Sequence, residues 1–87
     1  MNIMEDKNAE MIHEFDMYVL EHPEFAKNIP QGAIVVMQID GEEEFNAWSK
    51  RLAESQAEKG QPLVYIKIKK LKPLSSRIEE VELERVA

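Results

Sequence analysis

Apolar and polar residues recur along this chain with two different periods. Between Glu5 and Glu21, Met11, Ile12, Phe15, Tyr18 and Val19 fall on one stripe at helical spacing, with Asp6, Glu10, Glu14 and Asp16 over the remaining surface. Met17 and Leu20 lie off that stripe, which makes the apolar face wider than one small sheet requires. "EHPEFAKNIPQG" interrupts the pattern at Pro23 and Pro30, with Phe25 placed to anchor a short helical turn. "AIVVMQI", Ala33 to Ile39, is a nearly continuous apolar run and suits a strand covered on both faces. A second helix is expected from Glu42 to Lys59, with Phe45, Trp48 and Leu52 at i, i+3 and i+7 as its buried stripe. Asp40 or Gly41 stands at its cap, Glu42 to Glu44 complement the positive end of its dipole, and Gly60 and Pro62 mark its stop.

The period then changes to two. In "LVYIKIK", Val64, Ile66 and Ile68 alternate with Tyr65, Lys67 and Lys69, the signature of a strand. Strand, helix and strand in succession imply a right-handed crossover and a parallel pair. The last segment supports two readings. Ser76 and Glu79 have capping-box spacing for a terminal helix, whereas Val81-Glu82-Leu83-Glu84 alternates as a strand, and the strand is favoured. An antiparallel return would set Lys67 and Lys69 beside Glu82 and Glu84 on the outer face, with Ile66, Ile68, Val81 and Leu83 inward. The expected fold is therefore a single small α/β (α+β) domain over residues 1–87, ordered helix, strand, helix, strand, strand. About three strands form a mixed sheet on two helices, and residues 1–4 are the stretch expected to fray.

Size sharpens this expectation. At 87 residues, 44% apolar and 32% charged, the chain folds without staples but has little spare core, so burial through self-association would help. Cysteine is absent, which removes disulfides, thiolate metal sites and cysteine nucleophiles and fits a cytoplasmic location. The acidic start has no signal-peptide core, and no apolar run approaches the roughly 18 residues that span a bilayer. A net charge of −6 opposes non-specific binding to nucleic acid or anionic lipid. That charge is uneven: residues 61–77 hold five basic residues and no acid, between acidic blocks on either side.

Two stretches carry a resemblance. Tyr18, Leu20-Glu21-His22-Pro23-Glu24 and Ile29-Pro30-Gln31-Gly32-Ala33 form the first. Gly60-Gln61-Pro62-Leu63-Val64-Tyr65-Ile66-Lys67-Ile68-Lys69-Lys70-Leu71-Lys72-Pro73, followed by Ser76-Arg77, forms the second. Together they resemble a family of short uncharacterised prokaryotic proteins, over nearly the whole chain. The resemblance implies a compact α/β domain, and it assigns no activity and no catalytic residue.

Candidate chemistry is thin. His13, Glu14 and Asp16 share the first helix, but nothing reproduces H-E-x-x-H or another zinc spacing, and His22 is more than two turns away. With 17 carboxylates in the chain, no pair of them is informative as an acid–base couple. The serines lack a G-x-S-x-G elbow. In the turn where an α/β fold would hold a phosphate, "IDGEEEF" places three glutamates, which would repel an anion. The loop "KKLKPLSSRIEE" is the positive candidate: Lys69, Lys70, Lys72, Ser76 and Arg77 have the chemistry of a phosphate or nucleic-acid contact. Against it, Tyr65 is the one aromatic nearby in sequence, and the flanking glutamates oppose a polyanion. A lysine-fringed sheet edge is the more economical reading.

Met4, Met17 and Leu20 lie beyond the aromatic stripe of the first helix and are the expected interface, since methionine-rich surfaces adapt to partners. The sequence thus points to a cytoplasmic, non-enzymatic module, without cofactor or metal, that associates with itself as a dimer or higher oligomer or with another protein. The alternative is a nucleic-acid or phosphate binder using the basic loop 69–77. An intersubunit ligand pocket near Tyr18, His22 and Tyr65 is a third reading, resting on residue type alone. No membrane partner is expected.

Overall fold

The computed structural model describes residues 2–86; Met1, the first residue of the stretch expected to fray, and Ala87 lie outside them. Helix α1 spans Ile3–Glu21 and starts two residues before Glu5, because the Asn2 side chain accepts the Met4 N–H at 2.8 Å. Glu5 and Asp6 then sit in the first turn, where negative charge complements the dipole. The helix ends where Pro23 cannot continue it: the His22 N–H still reaches the Tyr18 and Val19 carbonyls, and the one-turn helix α2, Pro23–Ala26, follows.

Strands β1, Ile34–Ile39, and β2, Leu63–Ile68, form a two-stranded parallel sheet with Met37 opposite Ile66 and Ile39 opposite Ile68. Between them lies α3, Glu43–Gln56. Its first turn has no side-chain cap, so neither Asp40 nor Gly41 caps it. Gly41 instead makes the turn into it, with a φ of +84° that a side chain would disfavour. The helix stops at Gln56, short of Lys59.

The core sits on one face of the sheet. Met11, Met37, Ile39 and Phe45 form it, with Met4, Phe15, Val35, Trp48, Ile66 and Ile68 packed against it. Alternation along each strand puts Val35, Met37, Ile39, Val64, Ile66 and Ile68 on that face, and Val36, Gln38, Tyr65 and Lys67 on the other. Val36 and Met37 are both fully buried, so β1 is covered on its two faces as its sequence predicts. The buried stripe of α3 is Phe45, Ser49 and Ala53, at i, i+4 and i+8. Trp48 and Leu52, expected in that stripe, lie on its half-buried margin.

Asn46 ties α3 to the sheet. Its Oδ1 accepts the Ile39 N–H at 2.7 Å and its Nδ2 donates to the Ile39 carbonyl at 2.8 Å. The side chain thus occupies the outer edge of β1 as a neighbouring strand would. The Gln38 amide adds a bond to the Asn46 carbonyl at 3.2 Å. Across the core, Lys7 of α1 pairs with Glu42 just before α3 and lies over the Phe45 ring, 5.9 Å from its centroid.

The third strand expected over 78–86 does not form, nor does the terminal helix. Residues 69–86 carry no helix or strand, and the sheet has two parallel strands in place of three in a mixed sheet. Ser76 makes a local turn, its Oγ accepting the Ile78 N–H at 3.1 Å, where a capping box would have bonded the N–H of Glu79. Ordering such a segment costs about 1–2 kcal/mol per residue in backbone entropy, and here no burial offsets it. The tail lengthens the molecule to 62 × 33 × 22 Å with a radius of gyration of 17.3 Å, against about 12 Å for a compact chain of this length.

Candidate functional site

The hydrogen-bond direction of a parallel pair fixes what each strand shows to its outside. Ile34 N–H donates to the Pro62 carbonyl and Asp40 N–H to the Ile68 carbonyl. The even-numbered residues of both strands therefore face each other, and the main chain of Leu63, Tyr65 and Lys67 points to the outer edge of β2. On β1 the equivalent edge is closed at Ile39 by Asn46, but among the described residues no element pairs with β2 on its outer side.

Beside that edge lies an open groove of about 460 Å³. Its floor is Ile66 and Ile68 of β2, and its walls are Phe15 and Tyr18 of α1 and Phe25 of α2. The three aromatics hold one another edge-on: Phe25 stands 6.0 Å from Phe15 and 5.6 Å from Tyr18, at interplanar angles of 79° and 89°. Such pairs fix ring orientation as well as burying area. His22 stacks on Tyr18 at 4.0 Å, its Nδ1 2.9 Å from the Tyr18 carbonyl. Lys69 and Lys70 rim the opening and the main chain of Lys67 borders it, with Glu14 the acidic residue of its lining.

The structure distributes the sequence candidates unevenly. Lys69 and Lys70 reach this groove. Lys72 lines a second one, of about 590 Å³, between residues 70–75 and the Glu10–Glu21 flank of α1. Ser76 and Arg77 lie further out on the exposed tail, so the five residues do not converge on one site. Met17 and Leu20 are exposed, Leu20 at 82%, whereas Met4 is half-buried and packs against the core. The expected pairing of Lys67 and Lys69 with Glu82 and Glu84 is not made. Lys67 instead pairs with Asp40 at 3.6 Å, an exposed contact of little energetic consequence. Tyr65 falls on the opposite face of the sheet from the groove, so Tyr18, His22 and Tyr65 do not share a pocket.

What the sequence reading missed is the aromatic wall. Tyr65 is the aromatic nearest the lysines along the chain, but folding brings Phe15, Tyr18 and Phe25 to them. Phe15 and Tyr18 at i and i+3 gave a signal for one helix face; nothing in the sequence placed that face beside β2.

Chemically, the site offers an apolar floor, aromatic walls, a cationic rim and an unpaired strand edge. Features of this kind suit contact with an extended chain or a surface. Among the described residues no three histidines or carboxylates gather at metal-binding distance, and no helix is long and apolar enough to cross a membrane. No curated protein and no solved structure shows significant similarity to the chain. A family model does match, over residues 3–81 of the 87. The chain is therefore a member of DUF5647, a family of unknown function.

Proposed function

We propose that this chain is a non-enzymatic cytoplasmic module that acts by association, first of all with a second copy of itself. The observation that carries this reading is exposed area. The single chain exposes 7744 Å², whereas a compact monomer of 10.1 kDa exposes about 5,300 Å². The excess, about 2,400 Å² per chain, is larger than the whole of a standard-size interface, about 1,200–2,000 Å². Much of the surface concerned is apolar: Leu20, Leu74, Val81, Leu83 and Val86 are all at least 79% exposed. Sedimentation or light-scattering mass at micromolar concentration tests the proposal. The expected result is a mass at least twice 10.1 kDa; a monomer at every attainable concentration contradicts it.

The aromatic groove favours a second reading, a phosphate or nucleic-acid contact. Rings beside Lys69 and Lys70 are the combination that stacks a base and neutralises its backbone. The net charge of −6 opposes it. Fluorescence anisotropy with a labelled single-stranded oligonucleotide separates the two. Association as the main role predicts no saturable binding at physiological salt. Saturable binding that Lys69→Glu with Lys70→Glu weakens at least about tenfold, with the melt unchanged, establishes the second reading.

A further inference from the structure

The tail that leaves the body and the edge that lacks a neighbour are complementary. From Ile78 to Val86 the chain carries no helix or strand, bends at Glu79 and is exposed throughout, with Val81 and Leu83 alternating in sequence with Glu82 and Glu84. As a strand, at about 3.3 Å per residue, it would span roughly 30 Å, longer than the six-residue β2. We infer that residues 78–86 of one copy add as a strand to the outer edge of β2 in a second copy, and that the exchange is reciprocal. This rests on the self-association proposed above and specifies its interface.

Three features converge on that occupant. The first is main-chain supply: Leu63, Tyr65 and Lys67 aim their N–H and C=O groups outward, and an added strand pairs such groups with its own. The second is side-chain alternation. With Val81 and Leu83 on the face of Ile66 and Ile68, the apolar floor continues sideways toward the aromatic groove of Phe15, Tyr18 and Phe25. Glu82 and Glu84 then fall on the face of Lys67, and a slip of one residue would bury them, so the register is specified. The third is charge. Residues 78–86 hold four glutamates and one arginine, and residues 61–77 hold five basic residues and no acid. The lysines that earlier invited a nucleic-acid reading are matched by glutamates of the partner's tail.

The path of the chain selects a partner over the tail's own β2. After Ile68 the backbone turns over α1, where residues 70–75 form one wall of the groove along Glu10, Glu14, Met17 and Glu21. A hairpin return would have to pull that segment off the helix. With residues 70–75 beside α1, Ile78–Val86 are left exposed and without strand pairing, as addition to a neighbour's edge requires. Two copies exchanging tails make a two-fold contact in which each edge and each tail is used once, so the assembly closes.

The test uses the full chain and three variants, followed by sedimentation equilibrium and by amide exchange at Tyr65. In the first variant, Val81→Asp with Leu83→Asp, both positions are exposed in the single chain, so its fold and circular dichroism are expected to be unchanged. The dissociation constant is expected to rise at least about tenfold, the equivalent of one 1.4 kcal/mol step. The other two are Lys67→Glu with Lys69→Glu, and Glu82→Lys with Glu84→Lys. Each is expected to self-associate more weakly than the parent, and the two mixed are expected to associate with each other more tightly than either does alone. A parent dimer whose constant is unmoved by Val81→Asp with Leu83→Asp overturns the tail exchange and leaves self-association standing. A monomeric parent with an exchanging Tyr65 amide overturns both. A monomeric parent with a protected Tyr65 amide shows that the tail returns to its own β2, and also overturns the exchange.

Discussion

Phe45→Ala is expected to lower stability by about 3–5 kcal/mol, the range for emptying an aromatic site in a packed core. Phe45 is 2% exposed and packs with Met11, Met37 and Ile39, the residues that join α1 and α3 to the sheet. No other aromatic ring is as deeply buried, and Lys7 lies over its face while paired to Glu42. Small domains have about 5–15 kcal/mol in total, and one this size sits near the bottom of that range. The variant should therefore be partly unfolded at room temperature. Trp48, with part of its surface open, is expected to cost less on truncation, about 1–2 kcal/mol. Urea melts at one fixed protein concentration measure both, since association would otherwise contribute to apparent stability. A Trp48→Ala loss larger than the Phe45→Ala loss would mean that α3 is rotated from the orientation described here.

Asn46→Ala is expected to cost about 1–3 kcal/mol, although the residue is only half-buried and its side chain is small. The amide satisfies both the N–H and the C=O of Ile39, a buried residue, at 2.7 and 2.8 Å. Removing it leaves the Ile39 N–H without a partner, at about 1–3 kcal/mol if kept from water, while the Ile39 carbonyl keeps the Glu42 N–H at 3.1 Å. Asn46→Asp is the informative companion. A carboxylate still accepts the Ile39 N–H, but its second oxygen faces the Ile39 carbonyl, so it should recover part of the loss and no more. Chemical denaturation of the three proteins measures the series. Equal stability of parent and Asn46→Ala would show that the edge of β1 is satisfied some other way.

The elements whose signal lies within a dozen residues were legible in the sequence. The α1 stripe, the break at Pro23, the apolar run of β1 and the alternation of β2 each correspond to an observed element, and the parallel pairing followed from the helix between the strands. The α3 stripe was read one position out because Trp48 outweighs Ser49 and Ala53 in apolar character. The small residues are the ones that allow close packing, and they carry the buried line. Met4 was assigned to an interface because it precedes the obvious stripe; Asn2, by capping the helix, extends α1 far enough for Met4 to reach the core. The aromatic groove depends on how α1 and α2 lie against β2, a contact between distant segments that no local pattern encodes. Residues 78–86 had a strand's alternation but no neighbour in the single chain. A sequence pattern states what a segment can pair with and is silent on which copy supplies the partner.

The most direct measurement of the central claim, that this chain completes its sheet by association, is backbone amide exchange across β2 as a function of concentration. Val64, Ile66 and Ile68 donate to β1 and should be protected whenever the chain is folded. Tyr65 and Lys67 face the outer edge. Association through the tail predicts that their amides become protected at concentrations where the mass doubles and exchange freely on dilution, while Ile66 and Ile68 stay protected. Tyr65 and Lys67 amides that exchange freely in a sample of doubled mass would contradict the claim.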